Sequence, residues 1–452
     1  MSVSDSSRVQ LILGAPIAGM LFRLAAPNVA STLMTTVVTF ADAWFIGQLG
    51  TAALAGLALV FPFQTLMVMM CGGAIGGAVT SAVSRALGRR DIAGAQALAW
   101  HGLLIASCMA LLYTLVLGLF SRPLFALLVG TGQALDGAVL YARILFGGAI
   151  TVWMLWVLAA IVRGTGDTVT PARTVFVSCI AQIFLSGVLT LGWGPIPGIG
   201  IAGPAAATVI CHGLAATYLA FHLLNGRAAV TLQAQRVRWA PSVDIMRVGG
   251  LGLVNSSTIA VTVIIVTGFV ARYGTEALAG YGLGSRLELM LVPIAFGVGG
   301  ALTAAVGINF GSGQFARARK IAWTGAGAVF ALTSAIGVLV ASMPGLWLNL
   351  FTDDTAAYTV GAMYLVIAAP LYGLFGGGMA LYFASQGTGR VALPVLVGVV
   401  RLVVVSTFGA LTVYFSWQIN TFFVGVAVGL AVVGIGLALC MRSAPWCPDR
   451  VG

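Results

Sequence analysis

The sequence predicts an all-α membrane protein in which twelve transmembrane helices form two six-helix repeats. Three observations predict this fold class: scarce charge, apolar runs long enough to cross a bilayer, and an internal repeat. Of the 452 residues, 60% are hydrophobic and 7% are charged, whereas a soluble domain has roughly 25% charged residues. So few charges cannot cover the surface of a water-soluble protein of this length, and a soluble fold is excluded.

The basic residues indicate membrane topology rather than nucleic-acid binding. The chain has 22 basic and 11 acidic residues, which give a formal net charge of +11. Most of the basic residues lie in loops between apolar runs, as the positive-inside rule requires. We therefore expect membrane lipid as a partner and no nucleic acid.

Twelve apolar segments are each long enough to cross roughly 30 Å of hydrocarbon as a helix. Segments of this length exclude a β-barrel, whose strands need only about 9–11 residues. The predicted spans are 20–45, 52–78, 93–119, 137–161, 172–193, 200–223, 248–272, 277–303, 320–343, 357–383, 392–415 and 419–440.

Positive charge alternates between successive loops. The loops after spans 2, 4, 6 and 8 are arginine-rich, whereas the loop after span 9 carries Asp353 and Asp354. The positive-inside rule then predicts that both chain termini lie in the cytoplasm. The arginine-rich loops contain Arg85, Arg89, Arg90, Arg163, Arg173, Arg227, Arg236, Arg238, Arg247, Arg317, Arg319 and Lys320.

An internal repeat divides the chain into two halves. The segment 51–56 (TAALAG) returns as 275–280 (TEALAG), and four further features recur at a displacement of 223 residues. Those features are Trp100 and Trp323, Tyr141 and Tyr364, the Gly-Thr-Gly segments at 164–166 and 387–389, and Pro171 and Pro394. An even number of spans per half predicts parallel repeats with a cleft between two lobes, an arrangement typical of transporters. The predicted boundaries are 1–225 for the first lobe, 226–247 for a linker and 248–452 for the second lobe.

No motif in the chain predicts a catalytic, metal or cofactor site. Cys71, Cys108, Cys179, Cys211, Cys440 and Cys447 are scattered without Cys-x-x-Cys spacing, so a disulfide framework is not expected. The three histidines lack ligand spacing, and no nucleotide-binding loop or nucleophile elbow is present. The first 14 residues do not resemble a removable signal peptide. We therefore predict neither an enzyme nor a cofactor-binding protein.

Three segments resemble the multidrug and toxic compound extrusion (MATE) family. They are 40–55 (FADAWFIGQLGTAALA), 163–171 (RGTGDTVTP) and 200–208 (GIAGPAAAT). The resemblance implies a V-shaped pair of six-helix lobes in a bacterial inner membrane. It also implies export of small amphipathic, often cationic, organic compounds by a monomer that is driven by an inward flow of protons or sodium ions.

Asp42 is the first candidate for cation coupling. It lies in span 1, and charge within a span is costly enough to indicate function. No basic residue is near it in sequence, so desolvation favours uptake of a proton. The family's acidic residue on this helix matches Asp42, and its role there is cation coupling. The alternative is a structural hydrogen bond to the next loop or helix.

Gln182 and Ser186 replace an Asn-x-x-x-Asp pair that is frequent in the family. They stand one turn apart on span 5, on one face of the helix, but the carboxylate is missing. Thr208 on span 6 is a third polar neighbour. These side chains offer a sodium ion less negative charge, which favours protons. Spans 7 and 10 carry no carboxylate, whereas some sodium-coupled members of the family use acids there, so the resemblance favours a proton-coupled, DinF-like branch; sodium coupling stays the alternative. Each of the three can instead form a helix–helix hydrogen bond.

A substrate cleft is predicted near the middle of the membrane around Glu288 and Arg286. The repeat counterpart of Glu288 is Gln64, so only one lobe carries charge there. Glu288 can bind a cationic substrate or a second proton, or form a structural ion pair with Arg286 or Arg401. Further candidates for the cleft are Asn255, Met34 and Trp153, although aromatic and methionine side chains more often face lipid or neighbouring helices.

Two other functions compete with efflux. A flippase for a lipid-linked precursor is expected to have more spans and a strongly cationic cleft. A membrane-embedded transferase needs a cluster of carboxylates or histidines at one membrane face, and the sequence contains none.

Overall fold

The computed structural model describes residues 3–129, 131–442 and 446, and nearly all of them are helical. Eleven helices among these residues are long and apolar enough to span a membrane, and one bent helix pair provides the twelfth span. None of the five described cysteines forms a disulfide bond, and Cys447 lies outside the described residues. The helices are α1 (Val3–Gly14), α2 (Ile17–Gly47), α3 (Thr51–Gly88), α4 (Ile92–Leu119), α5 (Ser121–Val129), α6 (Gln133–Gly147), α7 (Ala149–Gly164), α8 (Val169–Leu191), α9 (Ala202–Leu224), α10 (Trp239–Ala271), α11 (Thr275–Gly311), α12 (Phe315–Ser342), α13 (Gly345–Leu348), α14 (Thr355–Thr388), α15 (Ala392–Tyr414) and α16 (Ile419–Cys440).

Several helices are longer than the apolar windows that predict them. Helix α3 extends ten residues beyond its predicted end, and α10 begins at Trp239, inside the segment 226–247 predicted as a linker. A hydropathy window measures only the hydrocarbon-spanning part, whereas a helix continues until a residue stops it. After α3 the stop is local: Arg90 adopts a positive φ of 61°, and the Asp91 side chain caps α4 by accepting a hydrogen bond from the Gly94 amide at 2.8 Å.

The fourth span, predicted as one segment at 137–161, consists of two helices, α6 and α7, bent by 46°. The Phe146 carbonyl at the break accepts a hydrogen bond from the Thr114 hydroxyl of α4 at 2.7 Å, so a backbone group freed inside the membrane is satisfied. The matching position of the second repeat contains a 3₁₀ turn, Ala369–Leu371, within α14. The first repeat breaks at Gly147 and Gly148, whereas the second breaks at Pro370.

We call helices α2–α9 the N-lobe and helices α10–α16 the C-lobe. We call the membrane side with the arginine-rich loops the basic side. The described hydrogen bonds between the lobes involve the half of α2, α3, α10, α11 and α14 nearest the basic side. In the part of the chain that the structure describes, no hydrogen bond joins the opposite halves of these helices across the two lobes. The lobes therefore meet at the basic side.

Helices α3 and α11 approach closely at the basic side because glycines line their contact. A Cβ atom at Gly88 would collide with the Ile308 carbonyl, and one at Gly311 would collide with the Arg85 carbonyl. Small residues at such crossings let helix backbones pack together in a membrane. The contact surface is thus built into the sequence of both helices.

Helix α1 lies across both lobes on the basic side. Arg8 donates a hydrogen bond to Asp167 of the N-lobe at 2.8 Å. Asn309 and Arg317 of the C-lobe both donate to the carbonyl of Ile12, which is buried, and Arg317 also donates to the Ala15 carbonyl. This short helix therefore links the two lobes where they are already in contact.

Candidate functional site

The four residues predicted for cation coupling lie together inside the N-lobe. The Ser186 hydroxyl donates to Asp42 Oδ1 at 2.6 Å, and Gln182 Nε2 lies 3.4 Å from Asp42 Oδ2. Gln182 Nε2 also donates to the Thr208 hydroxyl at 2.8 Å, and that hydroxyl donates to the Pro204 carbonyl at 2.9 Å. All four side chains are buried. We call them the Asp42 cluster.

Three helices build the Asp42 cluster. Helix α2 supplies Asp42, α8 supplies Gln182 and Ser186 one turn apart on one face, and α9 supplies Thr208. The hydrogen-bond partners of the carboxylate are neutral, and none of the described ion pairs includes Asp42. Burial of an unpaired charge is costly, and protonation removes that cost. The cluster is therefore suited to hold a proton.

The two repeats share a tyrosine hydrogen bond but differ in charge. In the N-lobe, the Tyr141 hydroxyl donates to Gln64 Oε1 at 3.3 Å. At the matching positions of the C-lobe, the Tyr364 hydroxyl donates to Glu288 Oε2 at 2.6 Å. The extra charge of Glu288 is balanced by Arg401 of α15, whose Nη2 lies 3.5 Å from Glu288 Oε1. The Arg401 guanidinium also lies 5.1 Å from the centre of the Phe375 ring, a distance at which a cation and a ring attract.

A cavity of about 160 Å³ lies between the lobes, within the zone where they meet. Helix α7 lines the cavity with Trp156 and Arg163, and α11 lines it with residues between Val292 and Thr303, in its basic-side half. The lining residues are Thr32, Thr35, Val68, Met69, Gly72, Gly77, Thr80, Trp156, Arg163, Val292, Pro293, Phe296, Gly300, Thr303 and Phe383. Both lobes contribute to this list, so a change in the angle between the lobes must change the cavity. We call it the interlobe cavity.

The sequence model of the MatE family matches this chain twice, at residues 27–188 and at residues 253–412. The chain belongs to this family. The FAD transporter of Shewanella oneidensis is 26% identical over 83% of the chain and 82% of its own length. The probable multidrug resistance protein NorM of Thermotoga maritima is 23% identical over 83% of the chain and 81% of its own. A multidrug resistance MATE family transporter solved in an outward-facing conformation has the same fold, with a TM-score of 0.89 and 21% identity over 98% of both chains. This protein is therefore a MATE family transporter and an integral membrane protein.

The residues predicted for the substrate cleft of this MATE transporter do not line the interlobe cavity. Gln64, Glu288 and Trp153 lie inside a lobe, where Trp153 is fully buried and packs 6.0 Å from Tyr113. Asn255 borders a separate, small cavity within the C-lobe. Glu288 lies away from the interlobe cavity because a charged group within a membrane pairs with a partner, and its partner Arg401 belongs to the same lobe.

Two other predicted cleft residues lie outside the cavity lining for different reasons. Met34 is half-buried against the apolar core. Arg286 is exposed. It lies seven residues before Pro293, a cavity residue, and therefore on nearly the same face of α11. It is two residues from Glu288, which rotates it away from the C-lobe interior.

The cavity residues that the sequence did not predict include Arg163 and Phe383. Arg163 was assigned to the loop after span 4, but it lies within the last turn of α7 and lines the cavity. A charge near a helix end is the usual topology signal, so hydropathy alone does not distinguish the two roles. The helical spacing distinguishes a cavity residue from a loop residue here, because Trp156 and Arg163 are seven residues apart and therefore share one face of α7.

Proposed function

We propose that this MATE transporter exports amphipathic organic compounds in exchange for protons, with Asp42 as the residue that takes up the proton. The observation that carries the proposal is the Asp42 cluster: one buried carboxylate whose hydrogen-bond partners are a hydroxyl and an amide. Ser186 and Gln182 position the carboxylate, and Thr208 fixes the Gln182 amide. The cluster binds no substrate itself, since none of its four residues lines the interlobe cavity.

The charge of the cluster favours a proton over a sodium ion. A hard cation prefers several oxygen ligands, and the charge of those ligands sets its affinity. The cluster offers one carboxylate, and its remaining oxygens are neutral. A proton needs only the carboxylate, and the Ser186 hydroxyl can hydrogen-bond to its protonated form as well as its charged form. A sodium-coupled mechanism remains the competing proposal.

The orientation follows from the positive-inside rule, under which the basic side faces the cytoplasm. We propose on this basis that the protein lies in a bacterial inner membrane, works as a monomer and has both termini in the cytoplasm. Because the lobes meet at the basic side, the conformation described is then closed to the cytoplasm. Substrate release and proton uptake both belong to this state.

Helix α2 physically connects the two sites. Asp42 and Thr35 are seven residues apart, on nearly the same face of α2 and about 10 Å apart along its axis. Thr35 lines the interlobe cavity, and the Thr32 hydroxyl of the same helix donates to the Pro293 carbonyl of the C-lobe at 2.9 Å. A shift of α2 on protonation therefore changes both the cavity and a contact between the lobes. Coupling requires only that proton and substrate prefer different states.

The relatives leave the chemistry of the substrate open, because one is named for FAD transport and another for multidrug resistance. We propose small amphipathic aromatic compounds, since aromatic rings and methionine line the interlobe cavity. A flippase for a lipid-linked precursor is a weaker candidate, because the cavity has a single cationic residue in its lining.

The test is dye transport into proteoliposomes under imposed ion gradients. Purified protein is supplied with rhodamine 123, a cationic xanthene dye, or with 5-carboxyfluorescein, an anionic one. Vesicles are prepared with an acidic interior, with a sodium-rich interior, or with neither. We expect the outward proton gradient to drive uptake of at least one dye, and we expect Asp42→Asn to abolish that uptake.

Asp136→Asn is the matched control, because Asp136 is an exposed acid that pairs with Arg122. This variant should transport as the wild type does. Full gradient-driven transport by Asp42→Asn would exclude Asp42 as the coupling residue. Uptake that needs the sodium gradient and ignores the proton gradient would replace the proton with sodium in the proposal.

A further inference from the structure

The interlobe cavity contains hydrogen-bond donors that have no partner in the protein. Trp156 Nε1 and Arg163 Nε are both buried and form no hydrogen bond. None of the described ion pairs includes Arg163. Both residues belong to α7, seven positions apart, and so face the cavity from one side. Other buried donors of the described residues are unpaired as well, among them Trp153 Nε1 and Arg401 Nε. These two differ in facing one cavity, where a single ligand that accepts hydrogen bonds can pair with both.

The cavity lining carries positive charge without compensating negative charge. Arg163 is the ionisable residue of the lining, and the lining contains no carboxylate. Two unpaired side-chain oxygens lie nearby, on Asn28 and Gln386, but they belong to neutral amides. The field in the cavity therefore favours an anion and disfavours a cation.

The remaining walls are suited to a flat ring. Phe296 and Phe383 form an edge-to-face pair with centroids 4.9 Å apart, and both line the cavity opposite Trp156 on α7. Glycines of α3 let two of these rings approach the helix closely: a Cβ atom at Gly72 would lie 3.2 Å from the Trp156 ring, and one at Gly73 would lie 2.8 Å from the Phe296 ring. The lining thus combines aromatic surface with a guanidinium at one end.

We infer that the transported compounds are aromatic anions, with the acidic group bound by Arg163 and the Trp156 Nε1 donor and the ring held among Trp156, Phe296 and Phe383. A carboxylate, sulfonate or phosphate can accept from a guanidinium in this way. The resemblance to the MATE family alone implies substrates that are often cationic, and the inference departs from it on charge. The inference rests on one part of the proposed function, namely that the interlobe cavity binds the transported compound.

The test compares two dyes of similar shape and opposite charge. Rhodamine 123 and 5-carboxyfluorescein share a xanthene ring system, so a difference between them reports charge. Uptake is measured into vesicles with an acidic interior, a direction in which a weak acid does not accumulate by passive diffusion. Dye is quantified after gel filtration and lysis at one fixed pH, because fluorescein emission depends on pH. We expect the wild type to prefer 5-carboxyfluorescein.

Variants of Arg163 and Trp156 test whether these two donors cause the preference for the anionic dye. Arg163→Gln should lower transport of 5-carboxyfluorescein about tenfold or more, since a hydrogen-bonded charge is removed, without a matching loss for rhodamine 123. Arg163→Lys should retain most of the transport, because the charge remains. Trp156→Phe, which keeps the ring and removes the donor, should have an effect of about threefold to tenfold. Arg173→Gln is the matched control, because Arg173 is exposed at the basic side and lies outside the cavity lining.

The inference and the proposed function can fail separately. Proton-driven transport of rhodamine 123 with no transport of 5-carboxyfluorescein would overturn the inference and leave the antiport intact. Equal loss of both dyes in Arg163→Gln would also overturn it, since charge selection would then be absent. Where transport of both dyes is absent, fluorescence anisotropy of 5-carboxyfluorescein with the purified wild type and Arg163→Gln decides the matter. Binding that is weakened about tenfold by the variant supports the inference, and equal or absent binding overturns it.

Discussion

Arg85 of α3 and Asp244 of α10 form an ion pair between the lobes, with Arg85 Nη2 at 3.2 Å and 3.1 Å from the two carboxylate oxygens. Arg85 also donates to the Ser81 hydroxyl, which donates to the Gln386 carbonyl of α14. The side chain of Arg85 is 8% exposed, whereas that of Asp244 is 46% exposed. An exposed pair contributes little to stability, but loss of Asp244 leaves a nearly buried guanidinium without its counter-ion.

Asp244→Asn should therefore shift the protein toward a state that is open at the basic side. The measurement is the distance distribution between spin labels at Arg90 and Gln314, two exposed positions on that side, in a cysteine-free background. We expect a longer distance to gain population by roughly threefold to tenfold, equivalent to about 1 kcal/mol. An unchanged distribution would mean that glycine packing alone holds the lobes together.

A second carboxylate in the Asp42 cluster should create a sodium site. Ser186 Oγ lies 2.6 Å from Asp42 Oδ1, so Ser186→Asp places two acids side by side. Their repulsion destabilises the empty site, and a cation between them relieves it. We expect sodium to raise the melting temperature of the variant by several degrees, measured against choline at equal ionic strength. A wild type that responds to sodium as strongly as the variant would argue against the proton.

The pair formed by Glu288 and Arg401 should be structural. Its two side chains are 14% and 9% exposed, and removal of one partner from a buried pair costs about 3–5 kcal/mol. Glu288→Gln should lower thermal stability markedly, whereas adding Arg401→Leu should recover most of the loss because no unpaired charge remains. The double variant should still transport. A stable Glu288→Gln protein that has lost transport would instead place Glu288 in the coupling or binding machinery.

Release of α1 should follow from loss of Arg317. This arginine donates to the carbonyls of Ile12 and Ala15, so Arg317→Gln removes a link between α1 and the C-lobe. Hydrogen exchange of the amides from Val9 to Leu13 should quicken by about tenfold, measured by mass spectrometry. Lys320→Gln, an exposed charge on the same helix, should leave their exchange unchanged. Equal exchange in both variants would show that α1 is held by its other contacts.

The sequence predicts those parts of this protein that depend on local pattern. Helix number and the repeat follow from hydropathy and from identities at a fixed displacement. The Asp42 cluster was found because one motif fixes Asp42 and a spacing fixes Gln182 and Ser186. Gln182 and Ser186 share one face of α8 because of their spacing in the sequence, and that spacing can be read without a structure.

The interlobe cavity was harder to predict because it depends on how two lobes meet. Arg163 and the loop arginines look alike in a hydropathy window, although Arg163 belongs to a helix that turns inward. The bend between α6 and α7 sets that direction, and its glycines match a proline in the other repeat. Glu288 was placed in the cleft because membrane charge indicates function, with an ion pair to Arg286 or Arg401 as the alternative. The structure pairs it with Arg401, which lies 113 positions away on the chain.

The positive lining of the interlobe cavity has an energetic consequence for the transport cycle. One proton that enters while one cation leaves moves no net charge across the membrane, so only the pH difference drives the exchange. A monoanion that leaves as a proton enters moves two charges in the same electrical direction. Each elementary charge gains about 2.3 kcal/mol per 100 mV of membrane potential, and two gain roughly 4.6 kcal/mol. The guanidinium of Arg163 would thus make the transporter a voltage-driven pump.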